Sequence, residues 1–372
     1  MENRPNDNQL PSRIRNHNNE NNNKPKQKKK KHTTLKVIIT IIVLMLLGGG
    51  VFAFNVYRNA RNALDSTYNP LAKGFKRARD VSDVLKEGRP FSILLMGTDT
   101  GDFGRSYTGR TDSLILATIN PKDKTTTMMS LPRDWMISIP GSESYGMQKL
   151  NAAYEFPLNG KGHPETAISA VQDLLNVPID FYAVINMGGL VKTVDKVGGV
   201  DVVSPLSFEF AGYTFVKGKE YHLYGKKALE FSRMRDDDPQ GDYGRQMRQR
   251  LILTALLKKS DKVQSLFTPG FFESISSNIR TNLSFNDIMT LVAKYRSAKD
   301  SITSTNIQGI QYLYRGQSFQ VVSPAAQQNA TDTLRKSLNI SQANTGNRFA
   351  SKNPSSVAET IPSYARIQAS GQ

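Results

Sequence analysis

From residue 90 onward the apolar residues arrive in short blocks, and the period of those blocks changes along the chain. Phe91–Gly97, FSILLMG, is an unbroken apolar run that stops at a glycine, the pattern of a buried strand feeding a loop. Ser113–Ile119 and Thr125–Leu131 are two further runs of strand length. The turn Asn120-Pro121-Lys122-Asp123 between them predicts a hairpin. Trp135–Ile139 is expected to extend this meander until Pro140-Gly141 stops it. Over His163–Val177 the period becomes helical, with Ala167, Ile168, Val171, Leu174 and Leu175 on one face. Strand Phe181–Ile185, helix Met187–Val197 and strand Val200–Val203 follow, with Gly198-Gly199 ending the helix. That β-α-β order predicts some parallel pairing in a hairpin-rich sheet. Lys226–Phe231 and Asp242–Lys259 read as helices, and Ser284-x-x-Asp287 opens another through about Arg296. Ile310–Val322 reads as terminal strands. The expected fold is one mixed α/β domain over about residues 88–324.

In front of the domain lies a different pattern. Residues 37–57, between Lys36 and Arg58, carry no charge, and at 1.5 Å per residue such a run spans roughly 30 Å, the thickness of a bilayer core. The lysine-rich stretch Lys24–Lys31 precedes it. The positive-inside rule therefore puts the N-terminus in the cytoplasm and everything after Arg58 outside the cell. The long polar leader and the lack of a small-x-small cleavage site favour a retained anchor over a signal peptide. The expected divisions are a disordered basic cytoplasmic tail at 1–35, a transmembrane helix at 36–57 and an extracellular connector at 58–89. A core at 90–260 follows, then the rest of the same domain at 261–324 and a disordered tail at 325–372.

Composition removes several chemistries. The net charge is +17, but residues 1–36 hold ten Lys/Arg against three Asp/Glu, so much of the excess belongs to a juxtamembrane tract rather than to a face for nucleic acid. No nucleic-acid partner is expected. The absence of cysteine excludes disulfides, thiol nucleophiles and Cys-ligated zinc. Four scattered histidines argue against a His-rich metal site.

The remaining polar residues gather at strand ends and helix starts, where α/β folds place their sites. Asp99 follows the first strand, and Arg110-Thr111-Asp112 precede the second; if the two strands are neighbours, both acids reach one sheet edge and offer hard oxygens to Mg²⁺. Arg133-Asp134 follows Pro132, and Lys149 and Asn151 stand at an expected helix start. The segment Phe231–Arg250, FSRMRDDDPQGDYGRQMRQR, is the densest, with five arginines and four aspartates. Arg233 and Arg235 alternate, so an extended backbone points them to one side. Asp242 is placed to cap the following helix, on which Arg245, Arg248 and Gln249 share a face at i, i+3 and i+4. Arginine forks grip phosphate oxygens in pairs, and RQMRQR has no paired acid, so the segment reads as a diphosphate clamp.

Taken in order, FSILLMGTD, GRTDSLILATINP, SLPRDWMISIPG, KLNAAY, VDKVGGVDV and RMRDDDPQGDYGRQMRQR resemble the LytR-CpsA-Psr family of Gram-positive cell-envelope proteins. The resemblance implies a three-layer α-β-α domain with an apolar groove for a polyprenyl chain. It implies transfer of an anionic glycopolymer, teichoic-acid-like or capsular, from a polyprenyl-diphosphate carrier to peptidoglycan through a phosphodiester. The cofactor it implies is Mg²⁺, with Mn²⁺ as a substitute. Carried over by position, Asp99 and Asp112 are the metal acids, and Arg110, Asp112, Arg133 and Asp242 the catalytic set. Lys149, Arg233, Arg235, Arg245, Arg248 and Gln249 bind the diphosphate. The general base stays open among Asp112, Asp134, Asp238 and Asp242. Two departures, Trp135 in place of a small hydroxyl residue and Asn159–Gly162 in place of paired glycines, are expected to reshape the acceptor side. A diphosphatase and a membrane-tethered, non-catalytic regulator are the alternative readings.

Overall fold

The computed structural model describes residues 58, 61–62, 65–99, 109–157, 163–259 and 277–346. The charge-free run at 37–57 and the departure at 159–162 lie outside them, and no helix among the described residues is long and apolar enough to cross a membrane.

A mixed sheet of six strands organises the domain. The strands are β1 (Phe91–Thr98), β2 (Thr111–Asn120), β3 (Thr125–Ser130), β6 (Phe181–Asn186), β11 (Ile279–Thr281) and β12 (Ser301–Asn306), in spatial order β11-β6-β1-β2-β3-β12. The predicted hairpin is present: β2 runs antiparallel to β1 and to β3. Two pairs are parallel, β1 with β6 and β3 with β12. The smaller strands β4 (Met136–Ser138) and β5 (Met147–Lys149) form their own two-stranded ribbon, so the segment after Pro132 leaves the meander instead of extending it.

The expected β-α-β unit is corrected as well. Helix α2 (Met187–Lys196) does follow β6, but β7 (Val200–Val203) pairs antiparallel with β10 (Glu220–Leu223), away from the main sheet. The burial of β7 alternates, with Val200 and Val202 inside and Asp201 and Val203 exposed. A strand covered on one face suits a satellite ribbon; a central parallel strand would be apolar on both.

Helices cover both faces of the main sheet, and the alternation along each strand decides which residue goes where. On one face Leu94, Met96, Leu114, Leu116 and Met129 pack under α1 (Pro164–Leu175) through the Ala167, Ile168, Val171, Leu174 and Leu175 stripe. On the other face Ile93, Ile115, Ala117, Met128 and Phe181 meet Leu253 of α4 (Asp242–Lys259) and Ile288 and Leu291 of α5 (Phe285–Lys294). Helix α5 starts with the capping box read from Ser284 and Asp287. A satellite cluster holds Val194, Val200, Val202, Phe208, Phe215, Phe231 and Ile252. It joins α2, α3 (Gly225–Arg233), α4 and the ribbon of β8 (Phe208–Phe210) and β9 (Tyr213–Phe215).

Two segments belong to the domain more fully than their sequence suggests. In the stretch read as a connector, Val84 and Leu85 enter the core, and Arg79 Nε donates to the buried Asp180 carboxylate at 2.7 Å. Beyond the hairpin β13 (Ile310–Tyr314) and β14 (Gln317–Val321), the expected disordered tail is replaced, from its first residues, by helix α6 (Pro324–Ser337). The Ser323 side chain caps α6, whose Ala330 and Leu334 join the α1 side of the core. Its polar composition hides a narrow apolar stripe, and tertiary burial rather than propensity holds it. Leu334 is wholly buried, so Leu334→Ala should lower the unfolding free energy by about 2–5 kcal/mol in urea titrations. A change below about 0.5 kcal/mol would return α6 to the status of a loose tail.

Candidate functional site

Register brings the chemistry to one end of the sheet. Thr98 pairs with Thr111 across β1 and β2 and with Asn186 across β1 and β6, so the end of β1, the start of β2 and the end of β6 coincide. Beside them lies a cavity of about 480 Å³. Leu95, Ile115, Ala183 and Ile185 line it from the sheet, and Leu190, Phe210, Leu229, Ile252 and Leu253 line it from α2, β8, α3 and α4. The charged part of the lining is Asp99, Asp112, Arg233, Arg235, Asp236 and Arg245, with Gln249 beside them. An apolar chamber with a charged, arginine-rich part suits an amphipathic ligand with an anionic head.

Behind this lining runs a network of ion pairs. Arg133 Nη1 donates to Asp112 Oδ1 at 2.6 Å, and its Nε lies 3.4 Å from Asp242 Oδ1 and 3.6 Å from Asp134 Oδ2. Asp242 is also held by Arg245 Nη2 at 2.7 Å and by the Gln246 amide at 2.9 Å. Arg245 Nη2 donates in addition to the Asp112 carbonyl at 2.9 Å. Lys149 Nζ lies 2.8 Å from Asp134 Oδ1. Burial works against the charge of Arg133, but Asp242, Asp112 and Asp134 together outweigh it and raise its pKa. At Arg245 burial prevails: its pKa is lowered despite Asp242, with Arg133 adding repulsion. Arg245 Nε is buried without a hydrogen-bond partner. A desolvated guanidinium with a spare donor, on a cavity wall shared with two more arginines, is a site that an incoming anion would stabilise.

The predicted residues divide into three groups. Asp99, Asp112, Arg233, Arg235, Arg245 and Gln249 meet around the cavity. Arg133, Lys149 and Asp242 stand in the network behind it. Arg110 and Arg248 fall outside both. Arg110 is half exposed and faces Glu155 at 3.5 Å.

Arg248 is wholly buried and its guanidinium is fully used. Nε donates to the Phe231 carbonyl at 3.0 Å, Nη1 to Asp238 and Nη2 to the Met234 carbonyl. The shared donor face is thereby corrected. Neighbours on a helix differ by about 100° in direction, so Gln249 reaches the cavity with Arg245 while Arg248 turns into the Asp236–Gly241 loop. The same pairing buries Asp238, and of the four acids considered as a base only Asp112 lines the cavity.

Other local expectations change in the same way. Arg233 and Arg235 do reach one cavity, but Arg233 is the last residue of α3 rather than part of an extended stretch. Lys149 precedes a five-residue 3₁₀ turn, not a helix, and its ammonium meets Asp134 instead of an anion. Asp242 is the first residue of α4, and its carboxylate serves Arg133, Arg245 and Gln246. Trp135 is fully buried in the main core, so it does not shape the surface of the site.

Sequence reading missed Asn186, Asp236 and Ser232 in the lining. Asn186 had a signal, since its side chain caps α2 by accepting from Gly189 N at 2.8 Å. Ser232 and Asp236 lie within the Phe231–Arg250 segment, whose arginines drew the reading away from them.

Gly244 explains why a glycine interrupts the first turn of α4. A Cβ there would lie 1.9 Å from Asp238 Oδ2, and Asp238 is pinned by Arg248 and by the Gln240 N–H at 2.8 Å. Alanine gains about 1 kcal/mol in helix propensity, yet here overpacking should dominate. Gly244→Ala is expected to cost about 1–3 kcal/mol, read as a lower melting temperature. An unchanged or higher one would show that the loop gives way freely.

A metal ion has two candidate ligands at this end of the sheet. Asp99 and Asp112 are carboxylates at neighbouring strand ends of one cavity, and no group of three or more His, Cys, Asp or Glu residues suited to a metal occurs among the described residues. Mg²⁺ is commonly bound by one or two carboxylates plus substrate phosphates and water. The donor set therefore fits a cation shared with a diphosphate, and does not form an all-protein cage.

Known proteins resemble the chain over most of its length. The profile of the LytR_cpsA_psr family matches residues 54–336. A relative from Enterococcus faecalis, named polyisoprenyl-teichoic acid–peptidoglycan teichoic acid transferase TagU, is 38% identical over 285 residues, covering 76% of this chain and 90% of the relative. Among solved structures, one from Enterococcus faecalis described as a transcriptional regulator is 33% identical with a TM-score of 0.61, covering 77% of this chain and 96% of that one. A structure of TagT bound to LIIa-WTA is 25% identical with a TM-score of 0.60, covering 73% of this chain and 100% of that one. With a family profile over residues 54–336 and a relative at this identity, the chain belongs to the LytR-CpsA-Psr family.

Proposed function

We propose that this protein transfers an anionic cell-wall glycopolymer, teichoic acid in its named relative, from a polyprenyl-diphosphate carrier to peptidoglycan. The observation that carries the reading is the cavity: hydrocarbon walls suited to a polyprenyl chain, with Arg233, Arg235 and Arg245 where a diphosphate head would lie. The acceptor hydroxyl attacks the glycan-bearing phosphorus, the bond to the lipid-side phosphate breaks, the lipid leaves as a monophosphate, and the hydroxyl proton is lost. Charge on the phosphoryl oxygens dominates such a barrier, and preorganised arginines stabilise it. Arg245 would address those oxygens from the cavity wall, and Arg133 and Asp242 would hold Arg245 and Asp112 in place. Mg²⁺ held by Asp99 and Asp112 would neutralise further diphosphate charge. The charge-free run at 37–57 and its lysines would place this chemistry on the outer face of the membrane.

The test is the full chain in liposomes with lipid-diphosphate-linked glycan, Mg²⁺ and peptidoglycan oligomers. A phosphodiester-linked product is expected. Glycan phosphate released equally with and without acceptor would make the protein a diphosphatase. Donor binding with no turnover at all would support a membrane-tethered regulator, the reading suggested by the description of one similar structure.

A further inference from the structure

The ion-pair network has two halves on different elements. Asp242 and Arg245 stand on the first turn of α4, while Arg133 and Asp134 belong to the turn that follows β3. Ion pairs alone tolerate a range of separations. A directional tie also spans the gap, and it starts one residue from Asp242. The Tyr243 hydroxyl accepts from Gly309 N at 2.8 Å and donates to Gln320 Oε1 at 3.0 Å. Gln320 lies in β14, where its backbone N–H donates to the Asp134 carbonyl at 2.8 Å and it bridges Trp135. Its neighbour Phe319 has its ring centre 5.9 Å from Lys149 Nζ, the ammonium that pairs with Asp134. Gly309 packs closely against β14, where a Cβ would lie 2.9 Å from the Val321 carbonyl. Burial raises the pKa of the Tyr243 phenol, which keeps its proton available for Gln320. None of Tyr243, Gly309 and Gln320 lines the cavity.

We propose that Tyr243 and Gln320 form a positioning latch that sets the Arg133–Asp134–Lys149 half of the network against the Asp242–Arg245 half. The inference rests on the transfer reading, and it makes the β13–β14 hairpin part of the catalytic frame rather than a peripheral ribbon. Tyr243→Phe keeps the ring and removes one hydroxyl, leaving Gly309 N–H and the Gln320 amide without their partner. Small displacements of positioning groups cost rate more than binding. For the full chain in liposomes, kcat is therefore expected to fall about tenfold while donor affinity stays within about twofold. Gln320→Met cuts only the Tyr243–Gln320 bond and should lower kcat in the same way but no further. The double variant should be no worse than Tyr243→Phe alone, since that change already removes the shared link. Hydrogen exchange at the Gln320 backbone N–H, which donates to the Asp134 carbonyl, should quicken in Tyr243→Phe whether or not the protein turns over.

An unchanged kcat, additive losses in the double variant, or donor affinity falling in step with kcat and melting temperature would overturn the latch. If wild type binds donor but transfers nothing, the transfer reading fails. The latch is then judged by exchange alone, and an unaltered Gln320 backbone N–H overturns it.

Discussion

Arg245→Ala is expected to lower the rate of glycopolymer transfer by about 10²–10³-fold while leaving the protein folded. Arg245 lines the cavity, has a buried Nε without a hydrogen-bond partner, and has a charge that burial opposes. Burial offsets part of what Asp242 supplies, so an anion in the cavity would add to the stabilisation of this charge, which is the condition for a large effect in the transition state. The fold should survive because Asp242 keeps Gln246 at 2.9 Å and Arg133 at 3.4 Å after the guanidinium is removed. Arg245→Lys should recover only part of the rate, since an ammonium cannot serve Asp242 and a phosphate through one planar fork. The measurements are transfer rate at saturating donor and melting temperature, both against wild type. A loss of less than tenfold, with the melting temperature unchanged, would remove Arg245 from the transition state.

The opposite result is expected three residues on. Arg248→Ala should cost about 3–5 kcal/mol of stability, enough to unfold much of the protein, because it strands a buried charge. The Asp238 side chain is 4% exposed and has Arg248 as its cation, while the carbonyls of Phe231 and Met234 lose a donor each. The guanidinium also sits 5.1 Å from the Phe208 ring centre, so packing is lost with the charge. Asp238→Asn in the Arg248→Ala background should restore part of the loss by removing the orphaned carboxylate. Urea unfolding reads both. Should Arg248→Ala instead keep its stability and lose transfer, the residue would belong with the diphosphate ligands after all.

These two arginines show how far the chain could be read before its fold was known. Short apolar runs located the strands at 91–98, 111–120 and 125–130, which are covered on both faces, and helical period located the helices at 164–175 and 242–259. The acids Asp99 and Asp112 were legible as a pair because antiparallel neighbours must bring such positions to one edge. Helix 324–337 was not legible, since four buried side chains, Gln327, Ala330, Thr331 and Leu334, include two polar ones whose partners lie on the α1 side. Nor was the Tyr243–Gln320 contact, which joins residues 77 apart in sequence.

The Phe231–Arg250 segment by itself determined that arginines and carboxylates would be concentrated at the start of one helix, and composition determined that no cysteine chemistry would accompany them. Which arginine faces the ligand was decided only in three dimensions. A sequence specifies the angle between neighbouring side chains on a helix, but the elements packed against that helix decide which angle opens on the cavity. Here the Asp236–Gly241 loop folds back over Arg248 and buries Asp238 with it, and Arg245 is left on the open side.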